Sequence, residues 1–240
     1  MTVAHAQQAA ANNASWCNAV CAAHGQPGSI DAGLWWHGGP VPRFYPNAVT
    51  LRAQPPQLMP RLQTMIDSRH GAGWSLKDSF ACLDLGGLQC RELFSAQWLW
   101  RAGTPGSSEP RASLSWRRLR SADDLAAWER AWSAGAPAPE RVFLPPLLDD
   151  AATCVIAVER GESLVGGVIV HGAAGVAGLT NLFTCGEDEH ATRDACLAAA
   201  SACFPAAPLV NYEVDAEVAL FTRLGFESVG RLRVWLHDPA

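Results

Sequence analysis

Charged residues are scarce in this sequence: they make up 17% of its 240 residues, against 49% for the hydrophobic set. Such a composition predicts a packed core and excludes a disordered chain. The net charge of −5 argues against a surface that binds nucleic acid. No apolar run approaches the roughly 20 residues that a membrane-spanning helix needs. We therefore expect neither nucleic acid nor membrane as a partner.

The eight cysteines include no C-x-x-C pair, and most of them lie in apolar segments, where a free thiol packs as a small hydrophobic group. Cys17 and Cys21 are one helical turn apart and close to His24, but two thiols on the buried face of a helix are the favoured interpretation, so we predict no metal site. The N-terminal segment lacks the basic start and apolar core of a signal peptide. We expect reduced thiols and a cytoplasmic location. The many Ala and Trp residues fit a bacterial coding bias.

The stretch from Val176 to Phe204 predicts a strand, a polar loop and a helix, in that order. The strand is apolar on both faces, which is typical of a central strand that is covered on both sides. The helix, Ala191–Phe204, is rich in alanine and is stopped by Pro205. Because the first-turn N–H groups of a helix point at whatever lies before it, the junction is a candidate anion site.

The segments around this unit continue an alternation of strands and helices. They predict the order β-β-β-α-β-α-β, preceded by a further strand and by a helix that Ser121 caps. The strands are predicted at Leu114–Leu119, Cys154–Glu159, Leu164–His171, Pro208–Val214 and Val229–Leu236, and the last helix at Asp215–Arg223.

Two motifs carry a family resemblance. The first is Asn181-Leu182-Phe183-Thr184 in the central strand, and the second is ALFTRLGF at Ala219–Phe226, which is similar to the pattern A-L-Y-x-x-L-G-F. With these motifs, the chain from roughly Ser113 to Asp238 resembles the GNAT superfamily of acyl-CoA-dependent N-acyltransferases. The resemblance implies an α/β (α+β) fold in which helices flank a mixed, twisted sheet.

The resemblance also implies a function, the transfer of an acyl group such as acetyl from acyl-CoA to a small amine. Acyl-CoA would then be a substrate, and no metal would be needed. Leu182, Phe183 and Thr184 would hold the pantetheine arm. His190 and Arg193 would lie near the diphosphate.

Two departures from the family pattern favour an alternative function. The family's phosphate loop, Q/R-x-x-G-x-G/A, would fall on residues 185–194, where Glu187, Asp188 and Glu189 (the acidic loop) stand in place of glycines. A carboxylate about 8 Å from a phosphate costs about 2 kcal/mol at an effective dielectric constant of about 20. The tyrosine that protonates the CoA thiolate in many members is Phe221 here. The alternative is a catalytically inactive GNAT-fold module that binds a ligand or a partner.

Three residues are candidates for the catalytic groups that the resemblance implies. Glu213 and His171 are candidate bases, and Tyr212 is a candidate proton donor. Each also has a structural interpretation. Glu213 would be a solvated strand end, His171 a polar residue beside a turn, and Tyr212 a packed ring with a hydrogen-bonded hydroxyl.

The N-terminal half repeats part of the same pattern, since Asn47–Thr50 matches the motif at 181–184 and a helix follows each. This predicts a truncated GNAT-like lobe at 13–102, after a disordered tail at 1–12 and before a linker at 103–112 and a GNAT-like domain at 113–240. The alternative is that the match between the halves is a coincidence, since the set of matched residues is small. A further motif, Trp35-Trp36-His37 with Arg43, either lines a pocket or anchors its own loop.

Overall fold

The computed structural model describes residues 2–54, 57–69, 73–103, 114–136, 140–186 and 188–238. The chain divides into two compact units, the first formed by Met1–Trp100 with Tyr212–Ala240 and the second by Arg101–Asn211. The elements are α1 (Thr2–Ala23), β1 (Ser29–Ile30), β2 (Leu34–Trp36), β3 (Ala48–Thr50), α2 (Leu58–Asp67), β4 (Trp74–Asp78), a 3-10 turn (Gly86–Leu88), β5 (Arg91–Arg101), β6 (Ser115–Arg118), α3 (Ala122–Trp132), α4 (Pro146–Asp149), β7 (Thr153–Arg160), β8 (Ser163–Ala173), β9 (Val176–Thr184), α5 (Glu189–Cys203), β10 (Leu209–Glu213), α6 (Asp215–Arg223) and β11 (Glu227–His237).

The second unit contains a mixed sheet in the order β10-β9-β8-β7-β6. Strands β6 to β9 form an antiparallel meander, whereas β10 runs parallel to β9. Helix α5 makes the crossover between the two parallel strands, as the right-handed crossover rule leads one to expect. The predicted pairing of these two strands as parallel neighbours in one sheet is confirmed, and so is the mixed α/β architecture.

Helices cover both faces of this sheet because two adjacent glycines in β8 leave room for them. A Cβ at Gly166 would overlap the Thr192 side chain of α5, whereas a Cβ at Gly167 would overlap Trp128 of α3. Trp128 fills that space and donates from Nε1 to Ile156 O at 2.8 Å. The tight approach on both sides fixes the helices to the sheet.

Helix α3 begins with the cap that the sequence predicts. Ser121 Oγ accepts a hydrogen bond from Asp124 N at 3.1 Å. Arg117 of β6 holds the Asp124 carboxylate through two nitrogens, each 3.0 Å from an oxygen, and its Nε donates to Glu159 Oε1 at 2.9 Å. The cap and the ion pairs together connect the helix start to the outer strands.

The first unit contains strands in the order β1-β2-β3-β4-β11-β5. The last strand of the chain, β11, pairs antiparallel with β4 on one side, where Trp235 faces Leu76, and with β5 on the other, where Val234 faces Phe94. The predicted boundaries at 13–102 and 113–240 place this strand in the C-terminal domain, whereas its pairing places it in the first unit. Of the predicted linker at 103–112, only Gly103 lies within the described residues.

The N-terminal segment is a helix, so the prediction of a disordered tail at 1–12 was wrong. Ala6, Ala9 and Ala10 of α1 are buried. A Cβ added at Gly230 of β11 would lie 3.3 Å from the Ala6 methyl, so α1 packs closely against this strand. Alanine has the highest helix propensity and permits close approach, which explains an ordered helix with little amphipathic pattern. No helix within the described ranges is long and apolar enough to cross a membrane.

The two halves share an order of elements. In the first unit β2 and β3 are antiparallel, α2 follows, and β4 is parallel to β3. In the second unit β8, β9, α5 and β10 follow the same order with the same strand directions. The strands before β3 are only β1 and β2, of two and three residues, in keeping with the predicted truncation.

The packing at β8 makes Gly167→Ala a test of the fold. The added methyl would lie 2.6 Å from Ile156 O and would also overlap the Trp128 ring. We expect a loss of about 1–3 kcal/mol in the free energy of unfolding, since overpacking forces backbone and side chains apart. Chemical denaturation measures it.

Gly87→Ala is the matched control, because no atom lies within 4 Å of the methyl that it adds. It should change stability by less than about 0.5 kcal/mol. Equal stabilities of the two variants would contradict the close contact between α3 and β8.

Candidate functional site

The central strand β9 is interrupted by a bulge at Asn181, whose backbone has a φ of 54°. The register with β8 shifts there, because Gly167 faces Phe183 whereas Ile169 faces Thr180. Asparagine tolerates this left-handed conformation better than most residues. Bulges bend a strand and end regular pairing, and they are frequent next to functional sites.

Pairing between β9 and β10 stops before the bulge. Among the described residues it joins Leu209 to Ala177 and Val210 to Gly178, although β9 continues to Thr184. The other side of β9 stays paired, since Cys185 N donates to Val165 O at 2.7 Å. The C-terminal half of β9 therefore has one paired edge and one open edge.

The backbone groups of Leu182 and Thr184 lie on the open edge. Both polar groups of a strand residue point to the same side, and successive residues alternate between sides. Since Cys185 N–H points at β8, Phe183 does so too, whereas Leu182 and Thr184 point away from it. An extended ligand with amide groups can pair with such an edge as an added strand would.

The side chain of Phe183 serves the core rather than this edge. Its ring packs edge-on against Trp128, with the centroids 5.1 Å apart. Trp128 also packs against Phe143, at 5.7 Å. Of the three residues predicted to hold pantetheine, Phe183 thus contributes rigidity, and the other two present the open backbone.

The N-terminus of α5 is occupied by the protein's own carboxylate. Asp188 is the N-cap, and its Oδ1 accepts a hydrogen bond from Ala191 N at 3.2 Å. A carboxylate at this position already satisfies a first-turn donor and neutralises the positive end of the helix dipole. A ligand phosphate would have to bind beside this charge. Glu187 of the acidic loop lies outside the described residues.

The positive charges near this end of α5 are mostly paired with carboxylates of the protein. Arg193 Nη1 lies 2.9 Å from Glu189 Oε2, a pair with i,i+4 spacing, and its side chain is largely buried. Arg160 Nη2 lies 3.7 Å from Asp188 Oδ2, and both side chains are about half exposed. His190 is exposed in the first turn of α5. The region is therefore balanced in charge rather than basic.

The candidate base His171 lies in a buried network away from the open edge. Its Nδ1 is 2.9 Å from Thr153 Oγ1, which donates to Asp150 Oδ2 at 2.7 Å. His171 faces Gly178, whereas Thr184 faces Gly166. The five steps along β8 from residue 166 to residue 171 span roughly 17 Å at about 3.3 Å each. Burial lowers the pKa of His171, and the nearby Asp150 opposes that shift.

The other catalytic candidates, Tyr212 and Glu213, end strand β10 and are both half-buried. The Tyr212 ring lies edge-on to Trp98, with the centroids 5.5 Å apart, and Lys77 Nζ lies 4.0 Å from the ring centroid. Lys77 is itself buried and donates to Asn13 Oδ1 at 2.8 Å. Sequence reasoning missed Lys77, whose only signal is a lysine in the middle of an apolar strand.

Phe221 is a buried packing residue in α6, with its ring edge-on to Phe226 at 5.4 Å. The motif ALFTRLGF therefore builds a helix end and a turn, in which Phe226 N donates to Phe221 O at 3.1 Å. The position has no proton to give, as the sequence indicates.

The matching edge in the first unit is closed. Thr50 Oγ1 accepts a hydrogen bond from Ser79 N at 2.8 Å, and Asn47 Oδ1 accepts one from Ser75 N at 3.0 Å. Both side chains therefore tie β3 to β4 at the place where β9 is open. The first unit retains the order of elements and has no open strand edge at this place.

The Trp35-Trp36-His37 motif anchors its own loop. Trp35 is buried and its Nε1 donates to Asn18 Oδ1 at 3.1 Å, while Arg61 lies over the Trp36 ring at 4.0 Å. His37 is buried too, with Nε2 2.8 Å from Gln26 O. Arg43 lies over the neighbouring ring of Phe44. Of the two interpretations, the structure favours the anchor.

Burial also governs Cys17 and Cys21, raising their pKa values to about 11 and about 12. A buried thiol that stays protonated is a poor metal ligand. In the part of the chain that the structure describes, no three His, Cys, Asp or Glu side chains are grouped to hold a metal ion.

Solved structures share this architecture over almost the whole chain. A GCN5-related N-acetyltransferase from Kribbella flavida matches with a TM-score of 0.66 at 16% identity, over 97% of this chain and 96% of that one. A GNAT-family protein from Novosphingobium aromaticivorans matches with a TM-score of 0.55 at 12% identity, over 94% and 98%. This chain has the GNAT fold.

A conserved protein of unknown function from Staphylococcus epidermidis also matches, with a TM-score of 0.63 at 10% identity, over 88% of this chain and 93% of that one. By sequence, neither a protein-family model nor a curated protein matches significantly. At these identities the likeness establishes the fold alone, so function must be argued from the site.

The buried His171 makes stability depend on pH. Its pKa is lowered in the folded protein, so below about pH 6.5 the unfolded chain binds a proton that the folded one resists. We expect the free energy of unfolding to fall as the pH drops through this window, by at most about 1.4 kcal/mol per pH unit. Urea denaturation at pH 7.5 and pH 5.5 measures the loss.

His171→Gln should reduce the loss, because glutamine does not titrate. His190→Gln, at an exposed position, is the control and should keep the wild-type dependence. If all three proteins lose the same free energy between the two pH values, His171 does not control the acid sensitivity.

Proposed function

We propose that this chain is an acyl-CoA-dependent N-acyltransferase that acts on a small amine. The observation that carries the proposal is the open edge of β9, where the bulge at Asn181 leaves the backbone groups of Leu182 and Thr184 available to the amides of a pantetheine arm. In this proposal the enzyme is soluble and acts in a bacterial cytoplasm.

Positioning supplies much of the catalysis in this proposal. An amine held against a thioester carbonyl gains from proximity, and a base that removes the amine proton speeds the attack. Glu213 is the proposed base, directly or through a water. The departing CoA thiolate needs a proton, and Tyr212 is its proposed source, because Phe221 offers none.

The diphosphate is the weak part of the binding site. With Asp188 capping α5 and Arg193 paired to Glu189, the region has few groups to spare for two phosphates. Most of the affinity would then come from the acyl-pantetheine part. This division of the binding affinity is unusual, because the charge of acyl-CoA is concentrated at its diphosphate end.

A second candidate function is a non-catalytic module of the same fold that binds a ligand or a partner. The carboxylate at the start of α5 and the buried Phe221 favour it, since both replace groups that the reaction uses. The two candidates differ in turnover rather than in binding.

The proposal is tested by calorimetry with acetyl-CoA, together with a thiol-release assay over a panel of small amines. S-acetyl-pantetheine, which has no phosphates, should be used as an acyl donor almost as well as acetyl-CoA. Thr184→Pro should abolish binding because it removes an N–H from the open edge, whereas Thr184→Ala should preserve it.

Release of CoA that depends on an amine supports the enzyme, and saturable binding without release supports the module. A saturating ligand, at 100 times its dissociation constant, should also add about 2.7 kcal/mol to stability. Absence of any binding by either donor would overturn both candidates.

The acidic charge at the start of α5 gives a second test. Asp188→Asn keeps a good N-cap and removes the carboxylate charge. We expect it to strengthen acetyl-CoA binding about threefold to tenfold at low salt, with a smaller gain at high salt, because the repulsion is screened. Calorimetry at two salt concentrations measures the difference.

Asp123→Asn, in the first turn of α3, makes the same charge change at another helix start and should leave the affinity unchanged. S-acetyl-pantetheine binding should not respond to either variant. An Asp188→Asn gain that is indifferent to salt would mean that this carboxylate does not face the diphosphate.

A further inference from the structure

Lys77 differs from every other cationic side chain of this protein. It is the only lysine of the sequence, against seventeen arginines, and it lies buried within β4. Lysine is almost never fully buried without a partner of opposite charge. Among the residues that the structure describes, no carboxylate forms an ion pair with Lys77. An apolar residue would serve the packing of β4 equally well, so the charge needs another explanation.

Two neutral groups contact the ammonium of Lys77. Nζ donates to Asn13 Oδ1 of α1 at 2.8 Å and lies 4.0 Å from the centroid of the Tyr212 ring. Both groups attract a cation, through the amide oxygen and the ring quadrupole, but neither carries a full negative charge. A buried charge whose partners are all neutral is costly. A negative charge that appears close to Lys77 would therefore be stabilised.

The ring of Tyr212 is held in place, whereas its hydroxyl is left for a ligand. Trp98 packs edge-on against the ring, with the centroids 5.5 Å apart, and Trp98 Nε1 donates to Ser79 O at 2.8 Å. Lys77 lies over the face of the same ring. Within the described part of the chain no group forms a hydrogen bond with the Tyr212 hydroxyl, and the residue is only half-buried. The hydroxyl proton is therefore available to a bound molecule.

We propose that Lys77 is a positioning residue, and that its ammonium holds the Tyr212 ring and stabilises the phenolate formed when Tyr212 protonates the CoA thiolate. The inference rests on the acyltransferase function proposed above. In this step the O–H bond of Tyr212 breaks, the proton forms the S–H bond of free CoA, and the electron pair stays on the phenolate oxygen. Solvent then returns a proton to Tyr212. Because the cation is in place before the charge develops, it stabilises the transition state more than the ground state.

Lys77→Met separates this role from a structural one. Methionine has a similar length and no charge, and the exchange of a buried charge for an apolar group is often neutral or stabilising. We therefore expect the melting temperature to stay equal or to rise. The kcat of CoA release should fall about tenfold, because the acid loses part of its effect, whereas KM for acetyl-CoA should change by less than about twofold. A variant that loses stability and binds acetyl-CoA more weakly would show a structural role and overturn the proposal.

Tyr212→Phe completes a double-mutant cycle, because it keeps the ring and removes the proton. It should lower kcat by itself, and adding Lys77→Met should cause no further loss, since no phenolate forms. Equal losses from Lys77→Met with and without the Tyr212 hydroxyl would overturn the role of Lys77 and leave the acyltransferase function standing. If the wild-type protein releases no CoA with any amine, the function fails and the inference fails with it.

The contact can also be measured without activity, because the chain has one lysine and two tyrosines. Protein that contains isotopically labelled lysine gives one set of lysine signals in NMR spectra. The ring current of Tyr212 should shift the ε-methylene protons of Lys77 upfield, and Tyr212→Leu should remove the shift. Tyr45→Leu, which removes the other tyrosine ring, is the control and should keep it. An unshifted signal in the wild-type protein would contradict the contact and overturn the inference.

Discussion

The left-handed backbone of Asn181 is the constraint on which the candidate site depends. A regular β9 would continue to pair with its parallel neighbour β10. The backbone N–H and C=O groups of its second half would then all be hydrogen-bonded within the sheet. The bulge shifts the register by one residue on the β8 side and ends the pairing on the other. The site is therefore made of main chain, and side chains such as Phe183 serve to hold that main chain in place.

The first unit shows what the same order of elements becomes without that interruption. There Thr50 and Asn47 use their side chains to bond across from β3 to β4. The motif that accompanies an open edge in one half thus accompanies a closed one in the other. Because the matched residues are polar and short, they can either bridge two strands or leave them apart. The neighbouring backbone decides which occurs.

The sequence was enough to predict the strands, the crossover helix and the parallel pair around β9, because apolar runs, an alanine-rich helix and Pro205 are local signals. It did not reveal the bulge, since a φ of 54° at Asn181 depends on register with β8. Nor did it reveal that Lys77 is buried beside Tyr212, since that depends on a contact between distant segments. The cap of α5 is a local contact, from Asp188 to Ala191 N, and the sequence analysis missed it because it assigned Asp188 to the acidic loop. The first half of helix α1 was missed because most of its buried residues, such as Ala6, Ala9 and Ala10, are alanines, which look no different from those of a mobile tail.

The position of β11 makes the first unit depend on residues that are synthesised after the second unit. This strand lies between β4 and β5, so the sheet of the first unit lacks an inner strand until Glu227–His237 leave the ribosome. Domains generally fold as they emerge, and pairings between distant segments carry the largest cost in loop entropy. The first unit is therefore completed after the second, although most of its residues are made before it, and in the interval β4 and β5 each present an unpaired edge.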